Sequence, residues 1–134
     1  MAVLFVARSA RLARWGSDVG FGKHIYKFGI SEEDPKALAA AGWAGETDWK
    51  IVRREEVEGL TEADAIERLA RRERPIDPML YPKLKGAAGV FRVSPEHVEN
   101  HIIVGRALAG DSDRIDLKLK PADFAGYLIH NALR

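Results

Sequence analysis

The strongest constraint on the fold is a series of short strand-like runs. Residues 3–7 are continuously apolar, and residues 24–31 alternate, with Tyr26, Phe28 and Ile30 on the apolar side. Runs of β-branched and aromatic residues with this period are typical of β-strands. Further runs predict three more strands at 48–57, at 89–93 and, from the alternating Ile115, Leu117 and Leu119, at an edge near the C-terminus.

Helix signals lie between and after these strands. Asp34 and Pro35 are typical of a helix start, and Gly42 is typical of a position just past a helix end. Three more helices are predicted to begin at Thr61, Ser94 and Lys120, and Pro75 is predicted to end the one that begins at Thr61. The arginine- and glycine-rich residues between the first two strands are expected to form a basic loop.

This order of elements predicts an α+β fold with a small antiparallel sheet, of about three strands plus short edge strands, flanked by helices. The 134 residues are expected to form a single domain over 1–134, because a chain of this length rarely builds two separate cores. A composition of 46% hydrophobic and 31% charged residues excludes the disordered and collagenous classes.

The absence of cysteine excludes disulfides, thiolate metal sites and cysteine nucleophiles. The apolar run at 2–7 is too short for a secretory signal or a membrane span. A cytoplasmic protein without a membrane partner is therefore expected.

The charged residues are balanced overall but clustered locally. With 21 Lys+Arg and 20 Asp+Glu the net charge is +1, so a nucleic-acid-binding surface would have to be local. One basic cluster lies in the predicted first loop and a second one on the second predicted helix. Together they would form a phosphate-binding surface with Trp15 or Phe21 for stacking; the alternative is that both are solvated faces. The first cluster is Arg8, Arg11, Arg14 and Lys23, and the second is Arg68, Arg71, Arg72 and Arg74.

A pair of histidines on the third predicted helix suggests two interpretations. His97 and His101 are four residues apart, so they face the same side of the helix and could ligate one metal ion. Glu99, however, projects away from them and is not placed as in zinc proteases. The alternative is a pair of half-buried histidines at the boundary of the apolar face.

The segments VLFVAR, IYKFGIS, DPKALAAAG, DWKIV, ADAIERLARR and GVFRVSPEHVENHI together resemble the GIY-YIG endonuclease-like superfamily, and in particular its phage and bacterial branch with a YKIG-type second motif. The resemblance covers about residues 3–104, with 111–134 as a C-terminal strand and helix extension. It implies a three-stranded antiparallel sheet flanked by helices, and a divalent-metal-dependent site for phosphodiester cleavage on one face of that sheet.

The resemblance also implies individual roles. Phe5 stands at the first tyrosine position, so Tyr26 is the remaining candidate for the catalytic phenol. Lys27 and Lys36 would be the electrostatic catalytic groups, and Glu67 would be the metal ligand for Mg²⁺ or Mn²⁺. The alternative for Glu67 is a surface ion pair with Arg71, four residues later.

Two functions of different classes follow. The first is a GIY-YIG-like domain that binds DNA or RNA or is a degenerate metal-dependent nuclease, with Arg8, Arg11, Arg14 and Lys23 as nucleic-acid-binding residues. The second is a non-catalytic protein-interaction or accessory domain that contacts a protein partner through the basic loop and exposed aromatic residues. Its candidate contacts are Trp15, Trp43 and Trp49.

Overall fold

The computed structural model describes residues 2–84, 87–108, 110 and 118–134. The predicted α+β class is confirmed: a five-stranded antiparallel sheet packs against five helices, with strand order β3-β1-β2-β5-β4. The predicted edge strand with Ile115 and Leu117 lies outside the described residues. The strands are β1 (Ala2–Arg8), β2 (Ile25–Ser31), β3 (Lys50–Val57), β4 (Arg74–Pro75) and β5 (Val90–Arg92); the helices are α1 (Ala10–Asp18), α2 (Pro35–Ala41), α3 (Glu62–Ala70), α4 (Pro95–Leu108) and α5 (Pro121–Ala132).

The sheet is buried on both faces. On one face Leu4, Val6 and Phe28 pack against α3, α4 and α5. On the other face Phe5 and Ala7 pack against α1, α2 and the loops around them. The apolar side predicted for β2 is therefore real, but its other side is buried too, because helices cover the sheet from both directions.

The predicted basic loop after β1 is wrong, because residues Ala10–Asp18 form a helix. Ser9 caps it by accepting a hydrogen bond from the Leu12 N–H at 3.1 Å. Gly16 lies inside this helix, where a Cβ atom would collide with the side chain of Ile25. The glycine thus serves the close approach of α1 to β2 and does not mark a loop.

The second predicted helix also ends earlier than expected. Thr61 caps α3 as predicted, by accepting from the Asp64 N–H, but the helix ends at Ala70 and not at Pro75. A turn follows in which the Glu73 N–H donates to the Leu69 carbonyl at 2.8 Å. Pro75 instead pairs with Phe91 in the sheet. This turn carries Glu73 toward the interior of the protein.

Candidate functional site

Glu73 is a buried carboxylate where three elements meet. Its side chain is 1% exposed, although an uncompensated carboxylate is costly to remove from water. Its Oε1 accepts a hydrogen bond from the Ser94 N–H at 2.6 Å, and its Oε2 accepts one from the Tyr127 hydroxyl at 3.0 Å. Ser94 directly precedes α4, where free N–H groups and the helix dipole favour an anion. Glu73 thereby ties the turn after α3 to α4 and α5.

The third partner of Glu73 is His97. Its Nδ1 lies 2.6 Å from Oε2 of Glu73. Because an ionised carboxylate only accepts hydrogen bonds, Nδ1 is the donor, and the neutral ring then carries its lone pair on Nε2. The His97 side chain is 53% exposed, so the buried carboxylate orients an imidazole that solvent and ligands can reach. This is the arrangement in which a carboxylate aligns a histidine for proton transfer.

Two cavities adjoin at His97 and Arg72, which line both of them. Their volumes are about 460 and 380 Å³, each within the range of small-ligand sites. We call the two together the arginine–histidine groove. Its first part is lined by Arg71, Arg72, Arg134, His97, His101, His130, Asn100, Asn131, Val104 and Tyr127, and its second part by Phe21, Gly22, His24, Arg72, Glu73, Arg74, Arg92, Val93, Ser94, Pro95 and His97.

The groove is strongly basic. Five arginines line it, whereas the one carboxylate among the described lining residues is Glu73, which is buried and bonded. One of the arginines, Arg92, lies over the ring of Phe21 at 4.5 Å, so the second cavity has a flat cationic wall. Guanidinium groups bind phosphate oxygens in a bidentate fork. The groove therefore suits a ligand with more than one phosphate.

The first cavity contains two further imidazoles. The ring centres of His101 and His130 are 4.7 Å apart, and His101 also contacts the Tyr127 ring at 5.5 Å. Burial lowers the pKa of His130, and the nearby positive charges of Arg134, His101 and Arg72 add to this. Burial and the neighbouring Glu73 raise the pKa of Tyr127, so its hydroxyl stays a donor to that carboxylate. The groove thus combines the fixed positive charge of its arginines with several imidazole rings.

The structure places Tyr26 and Lys27 on opposite faces of the sheet. Tyr26 stacks on Phe124 of α5 at 5.2 Å within the core. Burial raises the pKa of Tyr26 to about 12, against the opposing effect of Arg8. The phenol is thus enclosed and protonated near neutral pH.

Lys27 is buried on the other face and is held by backbone carbonyls. Its Nζ donates to the carbonyls of Phe28 at 3.1 Å and Ala88 at 2.6 Å. The same ammonium lies 5.9 Å from the ring centre of Phe5 and 5.5 Å from that of Trp43. Burial lowers its pKa, and Glu62 opposes that shift.

The other residues implied by the resemblance do not join them. Lys36 is exposed on α2, and Glu67 is exposed on α3, where its Oε1 accepts from Arg71 at 3.3 Å. Among the described residues, no three His, Asp or Glu side chains gather where they could hold a metal ion. The donor set around Glu67 therefore does not fit Mg²⁺ or Mn²⁺.

The predicted nucleic-acid-binding cluster is divided. Arg11 and Arg14 are exposed on α1, Lys23 is exposed in the loop before β2, and Arg8 is partly buried at the end of β1. Arg8 lines a separate cavity of about 530 Å³ beside Asp48. These four side chains thus come from β1, α1 and the loop before β2, and none of them is among the described residues that line the arginine–histidine groove.

The second basic cluster is also divided. The guanidinium of Arg68 donates to the Ala132 carbonyl at 2.9 Å, which ties α3 to α5. Arg71, Arg72 and Arg74 instead line the arginine–histidine groove. Three of the five arginines of the groove therefore come from the residues just after α3, and not from the exposed face of that helix.

The expected exposed tryptophans are not exposed. Trp49 is 7% exposed and its indole N–H donates to the Trp43 carbonyl at 3.0 Å. Trp15 and Trp43 are partly buried and pack on the second core, where Trp15 meets Tyr81. All three fill the space between the sheet and the elements on its α1 side.

Sequence reasoning singled out His97 and His101 but missed Glu73, Tyr127 and His130. The i,i+4 spacing on α4 was the usable signal, since it places both histidines on one side. Glu73 is 24 residues before His97, and Tyr127 is 54 residues after Glu73. No local pattern links residues at such separations.

No protein-family model matches this chain, and neither the curated proteins nor the solved structures include a detectable relative. Among the described helices, none combines the length and the apolar composition that crossing a membrane requires.

Proposed function

We propose that this protein binds single-stranded nucleic acid in the arginine–histidine groove. The observation that carries the proposal is the convergence of five arginines on two adjoining cavities whose one described carboxylate is buried and bonded to its neighbours. A linear chain of phosphates could extend from one cavity to the other past Arg72 and His97. Most of the binding free energy would come from neutralised phosphates.

Flat groups in the second cavity support the same ligand class. Phe21 and the guanidinium of Arg92 form one such surface, and the His24 ring, stacked on Phe124 at 4.7 Å, forms another. Bases of single strands stack on aromatic and guanidinium planes without sequence preference. The ligand we propose is therefore an unpaired strand.

Two charge-matched triple variants test this proposal. In the groove variant Arg72, Arg74 and Arg92 become Gln, and in the control variant Arg8, Arg11 and Arg14 become Gln. Binding of fluorescent 12-mer RNA and DNA single strands is measured by polarisation over a salt series. The groove variant should reduce the slope of log K against log salt by about 2, since each single-strand phosphate contact contributes about 0.7.

The control variant should retain most of the affinity, because none of its three arginines is among the described residues that line the groove. Equal losses in both variants would indicate diffuse electrostatic attraction. A loss confined to the control variant would assign binding to the α1 surface. Either result, or salt-independent binding by the unmodified protein, would overturn the proposal.

A further inference from the structure

We propose that the arginine–histidine groove cleaves RNA through the RNA's own 2′-hydroxyl, with His97 as general base, His101 as general acid and Glu73 as the residue that positions His97. This inference rests on the proposed function, since the strand must first bind in the groove. It adds a chemical step that uses side chains alone.

The geometry of His97 carries the inference. Its Nδ1 is committed to Glu73 at 2.6 Å, so Nε2 faces away from the carboxylate and toward the two cavities that this ring lines. Glu73 itself is held by Ser94 and Tyr127, which leaves the imidazole with a fixed orientation. A nucleophile as weak as a ribose hydroxyl needs such a neighbouring base.

His101 supplies the second proton-transfer group. It lies one turn further along α4, about 6 Å along the helix axis, and lines the same cavity as His97. The adjacent His130 lies on α5 and burial lowers its pKa, whereas His101 shares one side of α4 with His97 and is therefore assigned as the proton donor. Two imidazoles on one side of a helix can thus serve the attacking and leaving oxygens of one phosphate.

The reaction transfers two protons and exchanges one bond at phosphorus. Nε2 of His97 takes the 2′-hydroxyl proton as the 2′-oxygen bonds to the adjacent phosphorus. The bond from phosphorus to the 5′-oxygen of the next nucleotide breaks, and this oxygen takes a proton from protonated His101. The products are a 2′,3′-cyclic phosphate and a free 5′-hydroxyl, and both histidines return to their starting states by proton exchange with water.

The arginines stabilise the charge that builds on the phosphate oxygens during this step. Arg72 borders both cavities beside His97, and Arg71 and Arg134 line the first cavity. Fixed donors aimed at developing negative charge are a major source of catalysis. The titratable and charged groups that line the cavities of the two reacting imidazoles are Glu73, Tyr127, His24, His130, Arg71, Arg72, Arg74, Arg92 and Arg134.

The test uses the full chain and a 12-mer DNA strand that contains a single ribonucleotide, in buffer with EDTA. Cleavage is followed by gel electrophoresis, and the new 3′ end is identified by mass spectrometry. We expect a 2′,3′-cyclic phosphate product, and no cleavage of a strand with a single 2′-O-methyl group at that nucleotide. DNA of the same sequence should bind and stay intact.

Variants separate the roles of the residues. His97→Ala and His101→Ala should each lower kcat about 100-fold or more, the usual contribution of general acid–base catalysis. Added imidazole should partly restore the activity of His97→Ala, and the bell-shaped pH profile should lose one limb in each variant.

Glu73→Gln should lower kcat about tenfold or more with KM unchanged, because it misorients His97 without removing phosphate contacts. Arg54→Gln, on β3 at the opposite edge of the sheet, is the control and should cleave normally.

The outcomes distinguish this inference from the proposed function. Binding of RNA without cleavage, or cleavage that persists in His97→Ala, would overturn the inference and leave the binding function in place. Absence of RNA and DNA binding would overturn both. Because His97 is half exposed, its alanine variant is expected to fold, and its RNA affinity confirms this in the same preparation.

Discussion

Glu73 and Lys27 are both buried charged residues, with 4% and 5% of the whole residue exposed, but their surroundings differ. Two of the partners of Glu73 are the side chains of His97 and Tyr127, which line a cavity. The partners of Lys27 are two backbone carbonyls, and two aromatic rings enclose it. The family resemblance points to Lys27, whereas the geometry points to Glu73.

Burial of a charge therefore does not by itself mark a functional site. A buried ion must be compensated wherever it lies, and either carbonyls or side chains can do this. Glu73 differs from Lys27 because its hydrogen bond to His97 orients an imidazole that lines a cavity. Lys27 instead donates to the Ala88 carbonyl and so attaches the loop at Ala88 to the sheet.

The largest expected effect is on stability. Glu73→Ala should lower the free energy of unfolding by about 3 kcal/mol, because the Ser94 N–H and the buried Tyr127 hydroxyl lose their acceptor. Lys27→Met should change it by about 1 kcal/mol or less, since removing the ammonium also removes its desolvation cost. Urea unfolding at pH 7 measures both. A loss for Lys27→Met equal to that of Glu73→Ala would show that the two buried charges contribute alike.

A second pair of variants compares a buried glycine beside Lys27 with an exposed glycine on α4, the helix that carries His97. A Cβ atom at Gly29, beside Lys27, would lie 2.6 Å from Cζ of Phe5, so Gly29→Ala should destabilise by about 1–3 kcal/mol. At Gly105 on α4 no described atom lies within 4 Å of the new Cβ, and Gly105→Ala should stabilise by about 0.5–1 kcal/mol. Thermal unfolding of both variants tests the contrast. Tolerance of Gly29→Ala would mean that the Lys27 side is loosely packed.

The smallest expected effect is a pH dependence. Burial lowers the pKa of folded Lys27 below its ordinary value of 10.5, so the unfolded chain binds more protons in the range just below 10.5. The contribution of Lys27 to the free energy of unfolding should therefore increase as the pH rises through that range. Lys27→Met removes the group, and its stability curve between pH 7 and 10 should rise less than that of the unmodified protein. Parallel stability curves for the two proteins would contradict the lowered pKa of Lys27.

Much of the fold could be predicted from local signals. Asp34, Pro35 and Gly42 bound α2, and Phe124, Ala125, Leu128 and Ile129 form the buried face of α5, because caps and apolar periodicity act over a few residues. Helix α1 was missed because Gly16 suggests a loop when read alone. Glycine is needed at position 16 because the side chain of Ile25 on β2 packs against it, and only folding brings these two residues together.

The candidate site was far less predictable. Glu67 and Glu73 are six residues apart, and neither local spacing nor helical projection shows which one is buried. The turn that ends α3 at Ala70 decides this, since it leaves Glu67 on the surface with Arg71 and directs Glu73 beneath α4 and α5. Such a turn depends on what the following residues pair with in the sheet.

The sequence by itself determined the α+β class, most of the strand and helix positions, and the placement of His97 and His101 on one side of α4, because backbone preference and side-chain periodicity are local. Only the tertiary structure decided that Tyr26 and Lys27 lie on opposite faces, that Glu73 meets His97 and Tyr127, and that arginines from separate segments line one groove. The physical reason is that a buried charge is satisfied by whatever donors the fold brings within about 3 Å, and those donors can come from anywhere in the chain.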